Sequence, residues 1–217
     1  MVEGVKRDYR SEVRAAQALA TRRSIVAAAT RLFVSDGYGA TTIDAVAEAA
    51  NVSRKTVFTA VGGKLDLLKL ALDWAVAGDD QSVALTDRAN IRLWLDHAEP
   101  REVINGLAGN LAEIGARVGP IYSVLEVAAG VDPAARELVE QSQRVRLADA
   151  RKVVTRLRDL DALTTQITHR EAVDLIWLAM DPGLFDRLVR LRRWSPRRFK
   201  AWLGDALCRQ LLADQAV

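Results

Sequence analysis

From residue 53 the chain reads Ser-Arg-Lys-Thr-Val-Phe-Thr-Ala-Val-Gly-Gly-Lys. A helix opened by Ser53 would turn mostly donors and one flat ring outward. Arg54 can pair bidentately with guanine, and Lys55 can reach guanine or phosphate. Thr56 and Thr59 can touch phosphate or a thymine methyl. This is chemistry for holding DNA, and the parts needed to break bonds are missing. His97 and His169, the two histidines, stand in no Glu-x-x-His or His-Glu-x-x-His spacing, and no Gly-x-Ser-x-Gly elbow, P-loop or dinucleotide fingerprint occurs. Asp79-Asp80 lacks the further spaced carboxylate of a metal-dependent diphosphate site. The lone Cys208 can form neither an intramolecular disulfide nor a cysteine cluster, which fits a reducing compartment. No enzyme activity, cofactor or metal is expected.

The elements around that segment must present it. Thr21 is a candidate N-cap for a first helix whose Ile25, Ala28, Ala29, Leu32 and Phe33 share a face, with Gly37 as its stop near Ser35. Thr41 and Thr42 then introduce a short helix, which Asn51 can end by accepting a left-handed conformation. Ser53 caps the next helix, Gly62-Gly63 breaks it near Ala60, and Lys64 opens a fourth. Short helix, tight turn, short helix over residues 42 to 60 is the pattern of a helix-turn-helix, with Ala45, Val46, Ala47, Val52 and Val57 small or apolar enough to face inward. Charge agrees: residues 1–64 hold ten Lys/Arg against six Asp/Glu, leaving 21 against 22 for the remainder. A basic end suits a polyphosphate partner.

Apolar residues recur at helical spacing throughout, so the fold class expected is all-α. The chain has 217 residues, enough for a small and a larger domain, divided here as a basic arm (1–20), a helix-turn-helix domain (21–66) and a helical domain (67–217). Residues 78–99 read as a linker with one short helix. Pro100 suits a first helical turn, and Gly119-Pro120 is expected to interrupt and restart that helix. Asp132-Pro133 and Ser195-Pro196 open further helices, with others at about Thr168 to Met180 and Pro182 to Leu191. No apolar segment reaches the ~18 residues needed to span a bilayer, and the first twenty residues lack the apolar stretch of a secretory signal, so a cytoplasmic location is expected.

The run TRRSIVAAATRLFVSDGYGATTIDAVAEAANVSRKTVFTAVGGKLDLLKLAL resembles the TetR family of regulators. It keeps that family's order: a first helix ending in a glycine turn, a Thr-Thr start, an alanine-rich second helix, the recognition segment NVSRKTVF, and a lysine opening the fourth helix. LVRLRRWSPRRFKAWLGDAL is similar to the closing helix of many members. The resemblance implies that Thr42, Ser53, Thr56, Thr59 and Lys64 contact phosphates or groove edges, with Arg54 and Lys55 as base readers. Thr42 and Ser53 would be caps first. A purely structural role would bring Lys64 no benefit at a helix N-terminus, whereas a phosphate would satisfy both lysine and dipole. Three positions depart from the pattern: Phe58 stands where a tyrosine commonly meets a phosphate, Val61 where a phenylalanine commonly anchors the helix, and Asn51 where a glycine commonly turns. Phe58 is either a core residue or a ring that packs on sugar or a thymine methyl. Lys6, Arg7, Arg10 and Arg14 either follow the minor groove or form a solubilising tail.

One short recognition helix reads too few bases for useful specificity, so a homodimer on a palindromic operator of double-stranded DNA is expected. Resemblance places its interface on the last helices, at Val173, Ile176, Trp177, Phe199, Trp202 and Ala206. The six arginines from Arg187 to Arg198 would form a solvated rim to it. Resemblance also implies an apolar cavity for a small-molecule effector near Trp94, Leu107, Leu111, Tyr122, Leu125, Val145 and Trp177. The expected function is a transcriptional regulator, a repressor released from its operator by that ligand. The rival reading is a helical ligand-binding or adaptor protein with a degenerate helix-turn-helix.

Overall fold

The computed structural model describes residues 3–81 and 88–213, and side chains from residue 13 onward. These residues form ten α-helices: α1 Glu3–Ala40, α2 Ile43–Ala49, α3 Arg54–Ala60, α4 Lys64–Ala77, α5 Ala89–Leu95, α6 Pro100–Ala129, α7 Pro133–Asp159, α8 His169–Ala179, α9 Pro182–Phe185 and α10 Pro196–Leu211. A π-helical turn, Asp186–Leu191, joins α9 to α10. Among them there is no strand, only an isolated bridge between Leu163 and Leu212.

Two expectations about helix boundaries are corrected. Thr21 caps nothing: α1 begins at Glu3, and the Thr21 hydroxyl donates to the Gln17 carbonyl at 2.9 Å from within the helix. The segment taken as an arm is therefore helical in backbone from residue 3, because Ala15, Ala16, Ala18 and Leu19 favour helix as strongly as the residues after them. Arg14 is exposed, while the side chains of Lys6, Arg7 and Arg10 lie outside the described residues. Gly37, at φ 82°, does end the regular part of α1, in the left-handed region glycine enters without penalty. Pro120 likewise fails to interrupt α6, which runs through it. A proline in a helix forfeits one backbone hydrogen bond, but Val118, Ile121, Tyr122, Val124 and Leu125 on this stretch are all buried, and that packing holds the helix together.

The buried residues form two apolar clusters. The first joins α1 (Ile25, Ala29, Phe33), α2 (Val46, Ala47), α3 (Val57) and α4 (Leu67, Leu68, Leu72) to the second half of α6 (Val118, Ile121, Leu125, Ala128). The second joins the first half of α6 (Val103, Ile104, Leu107) to α7, α8, α9 and α10. Helix α6 thus runs through both cores, and α4 carries the first core across residues 66 and 67 without a break. Two glycines let neighbours sit against α6: a Cβ on Gly106 would lie 2.1 Å from Trp94 Cβ, and one on Gly115 would lie 2.5 Å from Phe185 Cγ.

Candidate nucleic-acid interface and the cavity behind it

Each end of the helix-turn-helix is set by a short polar side chain. Thr42 Oγ1 accepts the Ala45 N–H at 3.1 Å, and Ser53 Oγ accepts the Thr56 N–H at 3.0 Å, so both are N-caps. Asn51 takes φ 54° in the turn between them. Val57 is fully buried and faces the first core, and Val61 ends α3 against the same core. The opposite face of α3 carries Arg54, Lys55, Phe58 and Thr59, all exposed. Phe58 is 47% exposed, which removes the core reading of that residue. The threonine hydroxyls are engaged locally: Thr59 Oγ1 donates to the Lys55 carbonyl at 2.9 Å, and Thr56 Oγ1 lies 2.8 Å from Ser53 Oγ. Arg54 Nη1 donates to Asp44 Oδ2 at 2.6 Å, a partner on α2 that no spacing in the sequence announces.

Lys64 differs from its expectation. It has structural partners, because its Nζ sits 4.4 Å from the centroid of the Tyr38 ring and donates to the Gly39 carbonyl at 3.2 Å. The ring face and the carbonyl both carry negative potential, which offsets the unfavourable helix terminus. Burial draws the Lys64 pKa below its ordinary value. The same Tyr38 ring stacks on Phe33, with centroids 6.0 Å apart, and its hydroxyl donates to Asp132 Oδ2 at 3.2 Å. Asp132 in turn caps α7 by accepting the Ala134 N–H at 2.9 Å. Tyr38 therefore ties the helix-turn-helix to the start of α7.

A second tie lies at the far end of α4. Arg23 of α1 makes a two-pronged pair with Asp80 at 2.6 and 2.9 Å, and Arg88 makes another with Asp79 at 2.6 and 2.8 Å. Arg117 of α6 donates to the Ala75 carbonyl of α4 at 3.0 Å. The Arg88 hydrogen bonds, then the Gln81 N–H, hold the Asp79 carboxyl down to about 2.

The second tie borders a cavity of about 550 Å³ between α4, α5, α6 and α7, with Asp79, Asp80 and Arg88 in its wall. Trp94, Leu107, Leu111, Tyr122 and Val145 line it. Leu125 and Trp177 do not: Leu125 points into the first core, and Trp177 lies 5.8 Å from the Arg146 guanidinium with its indole N–H donating to the Gln143 carbonyl at 3.3 Å. Sequence spacing could not separate Leu125 from Leu107, since both lie on α6, which presents one face to the first core and the other to the cavity. Arg146 also lines the cavity, paired with Asp181 at 3.1 Å and 5.5 Å from the Tyr122 ring. Asp73 lines it too, its carboxyl pushed up by burial and partly drawn back by Lys69.

Of the residues expected at a dimer interface, Val173, Ile176 and Phe199 are instead buried within their own chain, at 6%, 0% and 1% exposure. Their faces of α8 and α10 meet α6 and α7, the nearest apolar surfaces. Trp202, 38% exposed, and Ala206, partly exposed, remain on the outer side of α10, with Trp177 partly buried on α8. Of the six arginines nearby, Arg190 pairs with Asp186 at 2.8 Å and Arg198 stacks 4.0 Å from the Trp194 ring centroid.

The Tyr38 tie gives a measurable consequence. Tyr38→Phe keeps the ring over Phe33 and beneath Lys64 and removes one hydrogen bond, an expected loss of about 1 kcal/mol. Burial, then the bond to Asp132, raises the Tyr38 pKa to about 12. The hydroxyl's contribution is thus whole below its ordinary pKa of about 10 and fades as pH rises toward about 12. Chemical denaturation of both proteins at pH 8 and pH 11 checks this. The gap between them should narrow at the higher pH, and a constant gap would show that the bond does not form.

Residues 25–71 match the profile of the family described as bacterial regulatory proteins, tetR family. No curated protein sequence matches the chain. Among solved structures, the chain is similar to NalD, the secondary repressor of the MexAB-OprM multidrug efflux pump in Pseudomonas aeruginosa, at 20% identity over 91% of this chain and 98% of that one, with a TM-score of 0.66. It is similar to SmeT, the repressor of the Stenotrophomonas maltophilia multidrug efflux pump SmeDEF, at 15% identity over 89% and 91%, TM-score 0.64. A complex of SmeT with triclosan aligns at 17% identity over 90% and 93%, TM-score 0.64. At such identities the likeness is one of fold, and the sequence match is confined to residues 25–71. Residues 25–71 thus carry the helix-turn-helix of the tetR-family profile, mounted on an all-helical body that shares the fold of these regulators.

Proposed function

We propose that the chain acts as a homodimer whose paired α3 helices read a palindromic operator in successive major grooves, and that a small molecule in the α4–α7 cavity releases it. The observation that carries this reading is the path of α4. It starts at Lys64 beside the recognition helix, and Leu72, Asp73, Trp74 and Val76 near its other end line the cavity. An occupant that pushes on those residues shifts one end of a helix whose other end is packed in the reading head. The spacing of the two heads then no longer matches the grooves. Arg54 and Lys55 read base edges or phosphate, and Thr42, Ser53, Thr56, Phe58, Thr59 and Lys64 border them.

The effector chemistry follows from the walls. They are mostly apolar, with Asn110, Gln141, Ser142, Arg146 and Asp73 among them, and the volume of about 550 Å³ suits a drug-sized molecule. A largely apolar body with one or two hydrogen-bonding groups fits. The triclosan bound to SmeT is a ligand of that general kind. The sign of regulation depends on where the operator lies relative to a promoter. Repression by occlusion is the default proposed here.

Selection of duplexes from a random pool by the purified protein, followed by titration of the winner at two salt concentrations, tests the DNA half. A palindrome with a steep salt dependence is expected, and a pool that yields no motif would sink the reading. Leu111→Trp tests the ligand half. It should narrow the cavity, leave operator affinity within about twofold, and weaken release by a compound that releases the parent. Release unchanged in the variant would place the effector elsewhere.

A further inference from the structure

Arg54, the side chain best placed to meet a base, is held from two sides. Its Nη1 donates to Asp44 Oδ2 at 2.6 Å, across from α3 to the start of α2. Its guanidinium carbon also lies 5.6 Å from the centroid of the Phe58 ring, one turn further along α3. Neither contact has an obvious structural purpose. The two charged side chains are 59% and 66% exposed, where an ion pair adds little to folding. Phe58 is 47% exposed and takes no part in either apolar core. An exposed carboxylate and an exposed ring nevertheless converge on one guanidinium.

A guanidinium has five N–H donors, and a guanine edge uses two of them. Asp44 engages one, so a guanine can be added without breaking the pair. A phosphate is different: it carries a full negative charge and must approach past the like charge on Asp44, whereas the guanine edge is neutral. An unrestrained arginine swings toward whichever phosphate is nearest, and every DNA sequence offers one. We propose that Asp44 and Phe58 are positioning residues that present Arg54 to one guanine in each half-site and keep it from serving as a general phosphate clamp. This rests on the reading of α3 as the recognition helix. It also gives Phe58 a task that needs no phenolic hydroxyl.

The experiment uses the full chain with Asp44→Ala, Phe58→Leu and Arg54→Ala. Each is titrated against the duplex selected by the parent protein, against that duplex with each guanine replaced in turn, and against an unrelated duplex. Thermal unfolding of each protein is recorded alongside. The parent should lose about tenfold to a hundredfold in affinity at one symmetric guanine position, and Arg54→Ala should be indifferent there. Asp44→Ala and Phe58→Leu should discriminate at that position by less than about threefold, and Asp44→Ala should bind the unrelated duplex several-fold more tightly. Retention of the parent's preference in both variants would overturn the proposal. So would a uniform weakening on every duplex in step with a lowered melting temperature, which would make Asp44 merely a favourable charge in the first turn of α2. Failure of the parent to select any motif would refute the recognition-helix reading itself. A motif indifferent throughout to Arg54→Ala would leave that reading standing and overturn this one.

Discussion

Replacing Arg54 and Lys55 together by glutamate is expected to weaken operator binding by about a thousandfold or more while the protein stays folded. Each specific base contact is worth about 1–3 kcal/mol, and a palindrome bound by a homodimer meets every contact twice. Reversal goes further than deletion, since it places carboxylates against phosphates where ammonium and guanidinium groups stood. The fold should tolerate the change because both side chains are exposed and the face of α3 that builds the core is carried by Val57. The Arg54–Asp44 pair lost with it is an exposed one, worth at most about 1 kcal/mol. Affinity at low and high salt, with circular dichroism on the same samples, measures both parts. Operator affinity within threefold of the parent would show that α3 does not carry the recognition, and would revive a ligand-binding or adaptor role for the chain.

Phe199→Ala should cost about 3–5 kcal/mol of folding stability, a large share of the ~5–15 kcal/mol by which a domain is stable. The ring is 1% exposed and packs edge-on against Phe185 with centroids 5.1 Å apart. Phe185 in turn sits over Gly115 of α6, so neither neighbour can close the space without lifting α9 from that helix. The loss should persist when unfolding is followed over a range of protein concentrations, as befits a residue in the core of one chain. Trp202→Ala should behave in the opposite manner. Its ring lies on the outer side of α10, 5.6 Å from Trp194 and 6.3 Å from Phe199, and its removal should cost the folding of one chain less than Phe199→Ala does while weakening self-association by roughly tenfold to a hundredfold, the range of an aromatic interface anchor. Sedimentation equilibrium separates the two. If Phe199→Ala dissociates the protein without destabilising it, the core placement is wrong; if Trp202→Ala leaves association intact, the interface lies on another face.

The helix-turn-helix was legible in the residues because its determinants are local. A cap needs only a hydroxyl or carboxylate at the right position, as at Thr42, Ser53, Asp132, Thr168 and Ser195. A chain reversal needs only a residue that tolerates positive φ, as at Gly37 and Asn51. The inward face of a short helix needs only small apolar residues at helical spacing, as at Val46, Ala47 and Val57. Those rules also locate eight of the ten helix starts to within a few residues; the exceptions are α1, where Thr21 imitates a cap inside a longer helix, and α5, whose start at Ala89 no capping side chain marks within residues 78–99.

Tertiary structure decided what depends on partners distant in the chain. Periodicity marks a residue as apolar and inward but does not say which neighbour it meets. Val173, Ile176 and Phe199 therefore carried the same signature as an interface until α6 and α7 were seen to cover them. Leu125 and Leu107 sit on one helix, yet one faces the reading head and the other the cavity, because α6 serves both. The polar ties were least legible of all. Tyr38 to Asp132 spans 94 positions, Arg23 to Asp80 spans 57, and Arg54 to Asp44 spans ten, and none of these separations is a helical or turn period. Local chemistry alone determined that this chain presents Arg54 and Lys55 on a short helix. Long-range packing decided what steadies them and what cavity stands behind them, since electrostatic and apolar contacts depend on distance in space and carry no memory of separation along the chain.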